Sequence, residues 1–279
     1  HVKWKANCPS MREHQEQVCR QLAEEVDEGL MVETTLEAAL EEYGDSLLLA
    51  ATGAIAKKGP GGEVRVIFDG TNGVFLNVGI RIRDQVRFPT APDLKAVLGE
   101  LAEQGGSYVL LMYDIKKAHR RIPVLQSEWG RQACQIKGSA VVSAMARRSC
   151  AKRPVEASGD GSARPVPIRK EDFTAEELAE VVYLNCVGTF GVTSAGYWWG
   201  RAAGAIIRLT HYALGHEDAL WALIYSDDGI LMSGSEWKER SLILHLFVLV
   251  VLGVPLAWHK VKGGVEAEWI GYWLDLGRF

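Results

Sequence analysis

Apolar residues in this chain fall into short unbroken runs divided by polar and glycine-containing stretches, and the runs predict its main elements. Tyr108-Val-Leu-Leu-Met-Tyr113 is almost wholly apolar, the pattern of a strand covered on both faces, so it predicts a buried central strand ending at Asp114. Leu220-Trp-Ala-Leu-Ile224 and Ile230-Leu-Met232 flank Tyr225-Ser226-Asp227-Asp228, which predicts a tight hairpin carrying two carboxylates at its tip. Leu242 to Leu252 is apolar apart from His245. It is shorter than the roughly 20 residues of a membrane span, and Gly253 and Pro255 end it, so a buried helix beneath a sheet is expected.

The remaining stretches are read in the same way. Residues 11 to 43 predict one or two amphipathic helices with acidic outer faces. Trp198-Trp199, followed by Arg201, Ala202, Ala203 and Ala205, predicts a helix with its tryptophans in the core. Arg81 and Arg83 alternate with Ile80 and Ile82, with Arg87 nearby, and so predict a strand whose arginines share one face. Such a face either tracks phosphates or is simply solvated. Lys137 to Arg169 has the composition of a loop insertion. Its Arg147, Arg148, Lys152 and Arg153 either hold template or belong to a solvated loop. Thr174-Ala-Glu-Glu177 is a capping box from which a short helix restarts.

Composition narrows the class. At 279 residues and 48% hydrophobic, the chain can bury a large core as one domain or two subdomains. Residues 1–50 hold eleven Asp or Glu against four Lys or Arg, a balance of −7 that leaves +3 for the rest of a chain of net charge −4. The acidic total is therefore compatible with a nucleic-acid partner. Cys8, Cys19, Cys134, Cys150 and Cys186 are odd in number and form no CxxC pair, which points to a reducing intracellular compartment, cytoplasm or nucleus, and away from secretion. No zinc-finger spacing occurs. The chain begins with His1, as a piece of a longer protein would.

Chemistry concentrates at the carboxylates. Asp227 and Asp228 repel each other and resist burial unless a positive charge lies between them, and oxygen-only ligands favour Mg²⁺ or Mn²⁺. Asp-Asp-Gly is also an ordinary turn sequence. Asp114, at the end of its apolar run and followed by Ile115-Lys-Lys-Ala-His-Arg-Arg-Ile122, adds a third carboxylate beside basic side chains that suit phosphates. Distant carboxylates of this kind assemble two-metal sites.

From about residue 20 onward the chain resembles the reverse transcriptases of retroelements. Ala54-Ile-Ala-Lys-Lys58, a Gly-Pro-Gly-Gly turn and Val64-Arg-Val-Ile-Phe-Asp69 resemble the fingers hairpin, and Leu111 to His119 resembles motif A. Thr189-Phe-Gly-Val-Thr-Ser-Ala195 resembles motif B, Tyr225-Ser-Asp-Asp228 motif C, Leu252-Gly-Val-Pro-Leu-Ala-Trp-His-Lys260 motif D, and Glu268-Trp-Ile-Gly-Tyr272 the primer grip. Their order along the chain is the family's.

The resemblance implies an α+β fold of right-hand polymerase type, with an antiparallel palm sheet flanked by helices and the thumb not visible. It divides the chain into N-terminal helices and fingers (1–107), palm with motif A (108–136), a basic insertion on the fingers side (137–172) and palm with motifs B, C, D and primer grip (173–279). It implies an RNA-directed DNA polymerase extending a primer from deoxynucleoside triphosphates on an RNA or DNA template. Ribonuclease H or integrase domains would belong to a parent polyprotein, and no membrane is involved. Two ions, Mg²⁺ or Mn²⁺, would be held by Asp114, Asp227, Asp228 and the Ile115 carbonyl. Of these ions, one would activate the primer hydroxyl and the other hold the triphosphate. Lys58 and Arg65 would contact the triphosphate, with His119, Phe190 and Gly191 in the nucleotide site. Lys260 would donate a proton to the pyrophosphate. Trp269, Gly271 and Tyr272 would grip the primer.

Three positions depart from the family pattern. His119 stands where an aromatic Tyr or Phe usually blocks a ribose 2′-hydroxyl, and an imidazole either excludes that hydroxyl or hydrogen-bonds it. Phe190 stands where retroviral enzymes carry Gln, and Ala195-Gly196 replaces Ala-Pro. Two other readings stay open: a non-catalytic domesticated domain that binds nucleic acid, and an RNA-templated RNA polymerase.

Overall fold

The computed structural model describes residues 3–57, 63–150, 169–215, 220–234 and 238–278. In chain order its strands are β1 (Lys3–Trp4), β2 (Met31–Thr35), β3 (Leu48–Ala56), β4 (Val64–Asp69), β5 (Val109–Asp114), β6 (Ala133–Cys134), β7 (Val181–Asn185), β8 (Leu220–Tyr225), β9 (Asp228–Ser233), β10 (Lys262–Gly264), β11 (Glu266–Trp269) and β12 (Tyr272–Asp275). Its helices are α1 (Ser10–Glu13), α2 (Gln15–Asp27), α3 (Leu36–Tyr43), α4 (Leu76–Gly79), α5 (Ala91–Gln104), α6 (Ser139–Cys150), α7 (Ala175–Leu178), α8 (Thr193–Leu214) and α9 (Lys238–Val251). The chain divides into two compact units, residues 1–81 with 122–195 and residues 82–121 with 196–279.

The first unit is built on a mixed sheet, so the antiparallel arrangement expected from sequence does not extend to it. β3 pairs in parallel with β1 and with β6, while β6 and β2 flank β7 antiparallel. The reason is length: β3 alternates little and is buried from Leu48 to Ala54, so it accepts neighbours on both edges as a central strand does. Toward its end it also pairs antiparallel with β4, Ala56 opposite Val64, forming the hairpin expected around the Gly-Pro-Gly-Gly turn. Residues 11–43 are not wholly helical, because β2 separates α2 from α3. Met31-Val-Glu-Thr-Thr35 is rich in β-branched residues, and it finds a partner in β7.

Part of the expected loop insertion is a helix. Within α6, Ala140, Val141 and Ala144 lie fully inside a core with Leu36, Leu47 and Val182, the one-sided spacing that drives an amphipathic helix. Arg147 is engaged within the protein: its guanidinium grips both carboxylate oxygens of Glu177, at 2.7 and 2.5 Å, and the Asp172 carbonyl. Lys152 and Arg153 lie outside the described residues. The Thr174 capping box forms, with Thr174 N–H donating to Glu177 and Glu177 N–H to Thr174 Oγ1.

The second unit carries a four-stranded antiparallel sheet in the order β10-β5-β9-β8. Leu110, Ile230 and Met232 are fully buried in its core with Leu101 from α5 and Trp269 from β11. Side chains buried to this degree contribute roughly 1.5–3 kcal/mol each. The expected arginine strand does not form, since residues 80–90 have no regular structure. Arg87 is taken up by Asp93 at 2.8 Å, in the capping turn of α5. Among the described residues no helix is long and apolar enough to cross a membrane.

Candidate functional site

The site of the second unit is set by backbone register. In the β5–β9 ladder, Asp114 stands directly opposite Asp228. Beyond that pair the chains stay tied, because Ile115 N–H donates to the Asp227 carbonyl at 2.9 Å. A third segment joins at the same level: Ala257 N–H donates to the Asp114 carbonyl and Lys116 N–H to the Pro255 carbonyl, at 2.9 and 2.8 Å. All four predicted groups, Asp114, Ile115, Asp227 and Asp228, therefore gather at one end of the sheet. Lys260 arrives with the 255–260 loop, its ammonium donating to Asp114 Oδ2 at 2.6 Å.

The hairpin tip is strained. Tyr225 pairs with Asp228, leaving Ser226 and Asp227 as a two-residue turn, and Ser226 sits at φ +57° while Asp227 does not share that conformation. A positive φ at the first central position alone is the type II′ pattern, a place that favours glycine. Trp199 holds the turn by donating its indole N–H to the Ser226 carbonyl at 2.7 Å. Trp199 is thus core, as expected, and also a support of the hairpin, while Trp198 stays half exposed.

Gly229 belongs to the strand and not to the turn. It pairs with Tyr113, and a Cβ at Gly229 would lie 2.0 Å from Tyr113 Cζ. The glycine after the two aspartates is therefore required by an aromatic ring packed on it. Behind that ring, fully buried His245 bridges Tyr113 OH at 2.9 Å and Thr210 Oγ1 at 2.8 Å. Thr210 Oγ1 donates to the Ile206 carbonyl, so it accepts from His245 Nδ1–H, and Nε2 accepts from Tyr113. The lone histidine in an apolar run was the sequence signal for this chain of hydrogen bonds.

Electrostatics follow from the crowding. Burial first, then the charges of Asp227 and Asp114, push the Asp228 carboxyl above its usual range. The hydrogen bond to Asp114 raises the Lys260 ammonium above its usual value. Burial pushes half-buried His119 down, with the Asp227 charge opposing. His119 Nε2 packs over Gly196, where a Cβ would meet it at 3.6 Å. A cavity of about 300 Å³ opens beside the carboxylates, lined in part by Asp114, Asp228, Lys260, Lys262, Glu268 and Trp269.

The residues expected to grip a primer form a second tight hairpin. Trp269 pairs with Tyr272 across Ile270 and Gly271, both at positive φ, the type I′ pattern. Trp269 is buried and, among the described residues, its indole N–H has no hydrogen-bond partner; Tyr272 is exposed.

Arg65, Phe190 and Gly191 lie in the first unit, and Lys58 lies outside the described residues. Arg65 stacks its guanidinium over the Phe190 ring, 6.0 Å from the centroid, at cation–π range. Gly191 has φ +99°, and a Cβ there would lie 1.9 Å from the Phe68 carbonyl oxygen, so only glycine fits. Asn77, which local sequence did not single out, clamps this segment: it donates to the Gly191 carbonyl at 2.8 Å and accepts from Thr193 N–H at 2.9 Å. These two partners are more than a hundred residues away, beyond any local pattern.

The donor set suits a hard divalent cation in chemistry, with carboxylate oxygens sharing one sheet end. It is not drawn together around one: among the described residues no three His, Cys, Asp or Glu side chains converge on a metal-sized point. Lys260 supplies the positive charge that Asp114 faces.

No protein-family model matches the sequence, and no curated protein does. The structure is similar to the foamy viral protease-reverse transcriptase solved in complex with double-stranded DNA, with a TM-score of 0.60 and 9% identity over 99% of this chain. At that identity the likeness carries the fold alone, and this chain spans 35% of the length of that one.

Proposed function

We propose that the chain is a reverse transcriptase domain, adding deoxynucleotides to a primer 3′-hydroxyl under template direction. The observation that supports this best is the Asp114–Asp228 cross-strand pair, tied to Asp227 by the Ile115 N–H. Asp114, Asp227, Asp228 and the Ile115 carbonyl would hold Mg²⁺ or Mn²⁺, which when bound supplies charge neutralisation for the carboxylates and for a triphosphate.

The chain's own residues then have separable tasks. The Ser226 turn, braced by Trp199, keeps Asp227 at the sheet end. Tyr113 on Gly229 keeps β5 and β9 in register. Lys260, on a loop stitched to residues 114 and 116, stands ready to pass its proton to a leaving phosphate oxygen. His119, over Gly196, sits one turn past Asp114 as a candidate sugar discriminator. Arg65 and Phe190 are candidates for the nucleotide site, and the 269–272 hairpin for holding the primer. Nucleic-acid template and primer are the partners this reading requires.

Primer extension with Mg²⁺ or Mn²⁺ tests it, using the parent protein beside Asp227→Asn. Extension by the parent and its loss in the variant are expected; a parent that binds primer–template yet never extends it would sink the catalytic reading. One observation favours the second reading, a domesticated nucleic-acid-binding domain: Asp114 is paired with Lys260 in an arrangement that needs no metal.

A further inference from the structure

Of the three carboxylates at the sheet end, Asp227 alone stands outside a strand, since Asp114 ends β5 and Asp228 begins β9. Ladder hydrogen bonds fix the backbone of the other two, so Asp227 needs another support. The direction of a side chain follows from the two rigid peptide planes that meet at its Cα, and at Asp227 both planes are held. The plane after it is tied by the Asp227 carbonyl, which accepts from Ile115 N–H at 2.9 Å. The plane before it is tied by the Ser226 carbonyl, which accepts from the Trp199 indole N–H at 2.7 Å. The first tie continues the β5–β9 ladder. The second comes from α8, a separate element.

This second tie is more than packing. Trp199 is only 2% exposed, so its donor has to be satisfied inside the protein, and the acceptor it takes is the tip of the hairpin. Ser226 is kept at φ +57°, a conformation that costs a non-glycine residue about as much as one such hydrogen bond returns. The bond is therefore enough to hold the turn. The same stretch of α8 supports the hairpin a second time. Val86 packs so closely on Gly200 that a Cβ there would lie 2.6 Å from Val86 Cγ1, and Arg201 pairs with Asp84 at 3.1 Å. The segment anchored in this way brings the Phe88 ring to 5.4 Å from the ring of Tyr225, the residue before Ser226.

We propose that Trp199 is a positioning residue for Asp227, setting through the Ser226 carbonyl the direction in which that carboxylate meets a divalent cation. The proposal rests on the reading of Asp227 as a metal ligand. Two variants separate the hydrogen bond from the ring: Trp199→Phe, and replacement of Trp199 by benzothienylalanine, in which sulfur stands for the N–H and the bicyclic shape is kept. In the parent protein both are expected to weaken Mn²⁺ binding, followed by electron paramagnetic resonance, by about tenfold. Both are also expected to lower kcat of primer extension by about tenfold with KM for the nucleotide unchanged, the mark of misplaced chemistry rather than lost binding. Trp198→Phe, at the half-exposed neighbour, is expected to match the wild type in both measurements. Wild-type Mn²⁺ affinity and kcat in the benzothienylalanine protein, or the same losses in Trp198→Phe, overturn the positioning role. Equal Mn²⁺ affinity in the wild type and Asp227→Asn instead overturns the metal reading beneath it.

Discussion

Lys260 donates to Asp114 across 146 residues of sequence, at 2.6 Å, and the contact is built by backbone. Pro255 and Ala257 hydrogen-bond residues 116 and 114, so the loop brings the ammonium to the carboxylate wherever its flexible stem points. Asp114 is mostly covered while Lys260 is half in water, which makes the lysine the partner able to leave.

Replacing Lys260 by Met therefore removes a competitor for Asp114. Mn²⁺ binding followed by electron paramagnetic resonance is expected to tighten by about tenfold, while nucleotide addition, under the proposed function, slows by roughly 10²-fold through loss of the proposed proton donor. Unchanged Mn²⁺ affinity would show that the ion pair and the metal do not share Asp114.

Gly191 is expected to tolerate no side chain. Its φ of +99° and the 1.9 Å approach of a Cβ to the Phe68 carbonyl oxygen combine strain with a clash against backbone, so Gly191→Ala is expected to destabilise by more than about 3 kcal/mol. Chemical denaturation of the purified variant measures this, and a loss under ~1 kcal/mol would contradict the geometry.

Ser226 points the other way. Since the turn holds it at φ +57°, Ser226→Gly is expected to relieve strain and to raise stability by up to about 1 kcal/mol. The expected thermal shift is a few degrees upward, whereas Ser226→Val, β-branched at the same φ, is expected to lower it.

His245 makes the second unit acid-sensitive. Burial, helped by the charge of His211, lowers its pKa from 6.5 to about 4. The unfolded chain therefore takes up the proton first as pH falls: stability is unaffected above 6.5, is lost progressively between 6.5 and about 4, and the loss is complete below that. For so buried a group the loss is on the order of 3 kcal/mol. Denaturation midpoints across this window are expected to fall steeply in the wild type and less in His245→Gln; parallel slopes would remove His245 as the cause.

Under the proposed function, sugar preference would rest on His119. His119→Tyr is expected to raise the ratio of deoxynucleotide to ribonucleotide incorporation in single-nucleotide extension, because a larger ring over Gly196 leaves less room for a 2′-hydroxyl. No change in that ratio would place His119 outside the sugar site.

Much of this protein is written locally. The apolar run before Asp114, the two runs around Asp227 and Asp228, and the capping box at Thr174 each specify an element through period, turn chemistry or a cap, because those effects act over a few residues. Local pattern fails where neighbours decide. The strand at Met31–Thr35 exists through β7, the helix at Ser139–Cys150 through a core that needed Ala140 and Ala144, and residues 80–90 are irregular despite their alternation because no partner strand binds them. Tertiary structure alone decided that Asp114 faces Asp228, that Lys260 reaches Asp114, that Gly229 exists for Tyr113, and that Asn77 clamps Gly191. Those are contacts between distant segments, specified by strand register and close packing, and no stretch of sequence contains both halves of any of them.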